Sequence, residues 1–151
     1  TMIRSARKIN DSMPSEYVNL IRKWTNDKKI VKPVVAMIGL AFKADTNDLR
    51  YTPMSEIYED LKRDMTLKLY DPFVKRESFE ILVKEKINYL NLEESIEGSN
   101  IILFGCSHSE ITPEMIKKLI PSMNKDRLIV DGRSGYGDLV DLVGSENYIS
   151  I

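Results

Sequence analysis

The chain has 151 residues, enough for one domain with a sizeable buried core. Its 22 Lys and Arg nearly balance 23 Asp and Glu, a net charge of −1, so nothing at the whole-chain level favours nucleic acid or an anionic membrane as a partner. No apolar run approaches the roughly 20 residues that span a bilayer, no secretory leader is read at its start, and the single Cys106 cannot form an internal disulfide, which together predict a cytoplasmic domain.

Residues 1–29 read as helical. Met2, Ile3, Ala6, Ile9 and Met13 follow helical spacing, as do Tyr17, Val18, Ile21 and Trp24 after Pro14. Pro14 either kinks a continuous helix or starts a new one. The apolar stripe has two readings: it covers its own domain's sheet, or it pairs with a second chain. A polar exit follows, and 26–33 is the one linker-like stretch.

Residues 34–53 organise the rest. Val34-Val35-Ala36-Met37-Ile38 has the length and branching of a buried strand, and Gly39 stops it. A polar loop with Phe42, Lys43, Asp45, Thr46, Asn47, Asp48 and Arg50 leads to Thr52-Pro53, a helix cap followed by a proline at the first helical position. Met54, Ile57, Tyr58 and Leu61 then form one helix face.

Thr66-Leu67-Lys68-Leu69-Tyr70 is the next strand, and Pro72 ends it by keeping Asp71 out of the helical region. A helix is expected over 74–86 with Phe79, Leu82 and Val83 inward, then a short strand at 87–90. Asn91 with Glu94 resembles a capping box, and Gly98 ends the brief helix it opens. Residues 101–105 form a second strongly buried strand. Thr112-Pro113 repeats the cap-and-proline start of a helix that reaches Ile120, where Pro121 stops it. Leu128-Ile129-Val130-Asp131 is the last buried strand, and 147–151 an edge strand. Strands alternating with helices, and apolar throughout, predict an α/β fold with a mostly parallel Rossmann-like sheet covered on both faces.

In such a sheet the polar residues just past the strands converge at one edge, where open α/β folds bind ligands. The candidates there are Phe42, Lys43, Asp45, Asp48, Arg50, Asp71, Ser107, His108, Asp131 and Arg133. Cations beside a helix N-terminus suit a diphosphate. Surface solvation, or pairing of Lys43 and Arg50 with Asp45 and Asp48, is the plainer alternative. One histidine is weak evidence for a metal, and Ser107 or Ser109 lacks a nucleophile elbow, so a structural use of His108 is favoured over a hydrolase. Cys106 follows an apolar run and reads as an inert thiol at the edge of the core.

Gly-Leu-Ala-Phe-Lys-Ala-Asp-Thr-Asn-Asp-Leu-Arg-Tyr-Thr-Pro, residues 39–53, resembles the signature of the C-terminal nucleotide-sugar-binding domain of the UDP-glucose/GDP-mannose dehydrogenase family, with Thr52 where serine is usual. The resemblance covers essentially the whole chain but only the last third or so of a complete enzyme. It implies that Phe42, Lys43 and Arg133 bind the substrate and that Arg50 reaches the NAD of a neighbouring active site. It implies no catalytic residue in this chain, because the family's cysteine lies in a glycine-rich motif that this sequence lacks; no metal site is expected either, the lone histidine being weak evidence for one. It also implies that residues 1–29 are the end of a central linking helix that forms a homodimer, and that 30–151 bind the UDP-sugar. Complete enzymes use NAD twice to oxidise the sugar C6 alcohol to a carboxylate. No G-x-G-x-x-G follows a strand here, so the N-terminal Rossmann and catalytic region would be a separate partner and this stretch alone inactive. UDP-glucose and UDP-N-acetylmannosamine are the leading substrates, GDP-mannose an alternative, as is a purely structural assembly module built on the first helix.

Overall fold

A computed structural model describes residues 2–132 and 135–150, with side chains described from residue 14 onward. Five strands form one parallel sheet: β1 (Val34–Ile38), β2 (Thr66–Tyr70), β3 (Ile101–Phe104), β4 (Leu128–Asp131) and β5 (Tyr148–Ser150), in the order β2-β1-β3-β4-β5. The helices are α1 (Met2–Asp27), α2 (Met54–Leu61), α3 (Arg76–Val83), α4 (Leu92–Ile96), α5 (Pro113–Leu119) and α6 (Val140–Val143). The expected mostly parallel α/β sheet is therefore present.

Side-chain alternation along the strands splits the core into two layers. Val35, Met37, Ile101, Leu103, Leu128 and Val130 face a cluster completed by α1, α2 and α3; Ala36, Ile38, Ile102, Phe104 and Ile129 face one completed by α4, α5 and the segment carrying Tyr136 and Leu139. Strands buried on both faces are continuous apolar runs for this reason.

α1 runs unbroken through Pro14, so of the two readings of that residue no new helix begins there. Tyr17, Val18, Ile21 and Trp24 bury themselves on the domain's own sheet. Arg22 fastens α1 to α2 and the turn after it, with Nη1 at 2.9 Å from Asp60 Oδ1 and Nη2 at 2.9 Å from Asp64 Oδ1. Met54, Ile57, Tyr58 and Leu61 are the buried face of α2, as their spacing predicts. Thr112 caps α5 by accepting the Met115 N–H, and Asn91 caps α4 by accepting the Glu94 N–H at 2.7 Å.

The structure corrects three expectations. α3 begins at Arg76 rather than near 74 and ends at Val83, because Lys84 turns left-handed with φ 61°. Leu82 is not inward but 40% exposed, since Phe79 and Val83 already fill the side of α3 that meets the core. The strand expected at 87–90 is reduced to a single bridge between Tyr89 and Leu69.

Candidate functional site

The strand order places β2 and β3 on opposite sides of β1, so the chain leaves β1 in one direction for β2 and in the other for β3. The carboxyl ends of β1 and β3 flank this topological switch point, where open α/β sheets bind ligands. Gly39 ends β1 with φ 85°, a conformation that favours glycine, and throws the chain over the sheet edge. Gly105 ends β3 so close by that a Cβ there would lie 2.2 Å from the Gly39 carbonyl oxygen. Two strand ends can approach this closely only with a glycine at 105.

A cavity of about 930 Å³ opens at this edge, within the range of small-molecule sites. Phe42 and Leu49 from the loop after β1, the N-terminus of α2, Leu103 to Gly105 of β3, Gly132 after β4 and Tyr17 of α1 line it. Phe42 is half-buried, and its N–H donates to the Asp48 carbonyl at 2.8 Å, closing the loop on itself. Thr52 joins loop to strand by donating its hydroxyl to the Leu40 carbonyl at 2.8 Å, and it accepts the Met54 N–H at 3.3 Å as the cap at the start of α2. The regular helix begins one residue later than Pro53.

The predicted site residues divide. Phe42 lines the cavity. Lys43 is exposed on the loop and does not line it. Arg50, 83% exposed, forms a bidentate pair with Asp48, Nε to Oδ1 and Nη2 to Oδ2 both at 3.0 Å, and this pairing holds the Asp48 pKa down near about 2. The pairing foreseen as the plainer alternative for Arg50 is therefore realised. Arg133 lies outside the described residues.

The other polar strand-end residues serve the fold. Asp131 is fully buried and accepts the Tyr136 N–H at 2.8 Å, while the Tyr136 ring stacks on Phe104 with centroids 3.8 Å apart. Asp71 is 1% exposed. Its Oδ2 accepts N–H bonds from Leu40 at 2.6 Å and Ala41 at 3.2 Å, and its Oδ1 from Phe73 at 2.8 Å and Val74 at 3.1 Å. Burial pushes the Asp71 pKa up, but the bond to His108 and those from the Phe73 and Leu40 N–H groups pull it down further.

His108, also 1% exposed, places Nε2 at 2.9 Å from Asp71 Oδ2 and accepts the Asp45 N–H on Nδ1 at 2.8 Å. Burial lowers the imidazole pKa, and the bonds and charges of Asp71 and Cys106 raise it by more. The Asp45 amide decides the outcome: a donor aimed at Nδ1 excludes a second proton while the loop stays docked, so the ring is the neutral Nε2–H tautomer. Both nitrogens are thus engaged with the scaffold. Cys106, 3% exposed, sits 3.3 Å from Nε2, the nitrogen already bonded to Asp71. A nucleophile–base–carboxylate relay needs cysteine and carboxylate on opposite ring nitrogens, so neither Cys106 nor Ser107 acquires a general base here. Asp71, Cys106 and His108 each offer a ligand atom within 4.8 Å of one another, yet the Asp71 oxygens a cation would need are already taken by backbone N–H groups.

Of the cavity lining, Phe42 alone was a site candidate from the sequence; Tyr17, Leu49 and Tyr51 are among the residues that were not. Tyr51 had the clearest signal, a second aromatic ring beside Phe42 in a mostly polar loop. It is 90% exposed and its backbone is left-handed at φ 61°, a strained conformation for a residue with a bulky side chain.

Residues 36–138 match the family model described as the UDP-glucose/GDP-mannose dehydrogenase family, UDP binding domain. A UDP-N-acetyl-D-mannosamine dehydrogenase of Methanococcus aeolicus is 34% identical over 134 residues, covering 86% of this chain and 28% of that protein. An NDP-N-acetyl-D-galactosaminuronic acid dehydrogenase of Ralstonia solanacearum is 26% identical, over 87% of this chain and 29% of the relative. Among solved structures, the UDP-D-ManNAc dehydrogenase of Pyrococcus horikoshii superposes with a TM-score of 0.68 at 29% identity, over 87% of this chain and 29% of its own. The NDP-N-acetyl-D-galactosaminuronic acid dehydrogenase of Methanosarcina mazei, TM-score 0.70 at 23% identity, covers 100% of this chain and 31% of its own, and shares the fold. The chain spans less than a third of the length of these proteins. Among the described residues no helix is long and apolar enough to cross a membrane.

Proposed function

The chain belongs to the UDP-glucose/GDP-mannose dehydrogenase family through its UDP binding domain, and from that premise we propose that it seats the nucleoside-diphosphate half of the substrate of an NAD-dependent UDP-sugar 6-dehydrogenase. The observation that carries the reading is the cavity at the β1–β3 switch point, walled by the loop of the signature motif and floored by glycine-bearing strand ends. Phe42 packs against the nucleotide-sugar. Lys43, exposed on the loop that walls the cavity rather than lining it, reaches the diphosphate as a point charge, and Arg133 meets it as a planar fork.

NAD, when bound, accepts the hydrides that turn the sugar C6 alcohol into a carboxylate. Arg50 fits a contact with it: its guanidinium is largely exposed and can exchange Asp48 for a phosphate. The rest of the dinucleotide site and the reacting cysteine belong to an N-terminal region. Residues 1–29 are the end of the linking helix through which two copies associate, and 30–151 the binding domain. The sugar is N-acetylmannosamine, the one named for several of the similar dehydrogenases, and the compartment is the cytoplasm.

Calorimetric titration with UDP and GDP tests this reading. UDP is expected to bind, GDP more weakly, and Lys43→Ala to lose about tenfold in UDP affinity, the size of one charge-assisted contact. No UDP binding, or equal binding by Lys43→Ala, overturns it.

A further inference from the structure

Asp45 lies mid-loop between Phe42 and Arg50, and its backbone is left-handed at φ 60°. Two tethers hold it, both from the turn after β3. Its N–H donates to Nδ1 of His108 at 2.8 Å, and its carboxylate accepts the Ser109 N–H at 2.8 Å and the Ser109 hydroxyl. The opposite nitrogen of the same ring bonds Asp71, whose Oδ2 also holds the N–H groups of Leu40 and Ala41 at the root of the loop. One imidazole therefore ties together the ends of β1, β2 and β3. The Asp45 N–H has no strand partner, and water in place of Nδ1 would satisfy it without fixing where the loop lies.

We propose that His108 is a positioning residue of the ligand site: its Nδ1 is a fixed acceptor that sets the loop bearing Phe42, Lys43 and Arg50 in its binding shape. For the identity of the ligand, this rests on the nucleotide-site reading. Asp71 orients the ring; the acceptor does the positioning.

Asparagine and glutamine separate the two halves of the imidazole. Asparagine puts an amide oxygen near the place of Nδ1, and glutamine an amide nitrogen near the place of Nε2. His108→Asn is expected to lose stability in urea yet bind UDP within about twofold of the parent. His108→Gln is expected to keep its bond to Asp71 and most of its stability, yet bind UDP about five- to tenfold more weakly, the loss of one hydrogen bond. Amide exchange at Asp45 should quicken in His108→Gln and not in His108→Asn. If affinity falls in step with stability in both variants, the histidine is merely structural and the proposal is overturned. Unchanged exchange at Asp45 in His108→Gln overturns it equally, and that readout needs no ligand. A parent that binds no UDP refutes the nucleotide reading instead, and the exchange data still decide the positioning. Should a histidine variant fail to fold, the parent decides by NMR: a coupling across the hydrogen bond between the Asp45 amide and Nδ1 of His108 is expected, with slow exchange at Asp45. Absence of both would refute the proposal, because the ring nitrogen then does not hold the loop.

Discussion

Asp71→Asn probes the carboxylate that gathers the edge of the sheet. Five donors converge on Asp71: the N–H groups of Leu40, Ala41, Phe73 and Val74, and His108 Nε2. An amide keeps one acceptor oxygen, so whichever way it turns at least two of these donors face an NH₂ group. Leu40, Ala41, Val74 and His108 are each no more than 2% exposed, so water cannot replace the lost partner. Each orphaned buried donor costs about 1–3 kcal/mol, and two or more give about 3–5 kcal/mol, the range found when a buried ion pair is broken. Urea denaturation at neutral pH measures it, and a loss below about 1 kcal/mol would refute the argument. The pH dependence supplies a second check. The folded-state pKa of Asp71 is lowered, so its contribution is complete above the unfolded value of about 4 and is lost as pH falls through the folded value. The gap between parent and variant should therefore be constant from neutral pH down to about 4 and narrow below that.

Two further substitutions probe the backbone of the same edge. Tyr51→Gly should raise stability by about 1 kcal/mol in urea, because it relieves a left-handed residue, while weakening UDP binding if the ring contacts the ligand; a less stable variant would show that the ring is packed by the fold. Gly105→Ala should lower stability by about 1–3 kcal/mol or more, since its methyl would meet the Gly39 carbonyl and the Met54 side chain. Calorimetric melting checks this at about 2–4 °C per kcal/mol.

Much of the scaffold was legible because its signals are local. Val34–Ile38 and Leu128–Asp131 are runs of branched residues buried on both faces, and Gly39 and Gly132 punctuate them. The α2 face could be read from a single period. The strand expected at 87–90 failed because four residues carry too little pattern to separate an edge pairing from a turn, and Leu82 because a heptad position does not say how wide the covered stripe is. At the site, sequence placed the polar residues at the correct edge but could not tell which way they point. Asp71 and Asp131 look, as letters, like ligand-binding carboxylates; both turn inward to collect backbone donors. His108 was favoured as structural, but its two partners come from loops 37 and 63 residues away in sequence, a relation no local pattern encodes.

The wholly parallel sheet has a consequence for how the domain forms. Val34 pairs with Thr66, Val35 with Ile101, Ile101 with Leu128 and Ile129 with Tyr148, so no ladder can begin from a hairpin. Every pairing must first close a loop that holds at least one helix, which puts this topology among the slower folders. During synthesis β5 emerges last, and until it docks, the edge of β4, with Ile129 and Val130 fully buried in the finished fold, stands open. The three residues 148–150 thus close the edge of this sheet, and the interval before they dock is when β4 is exposed to pairing with another molecule.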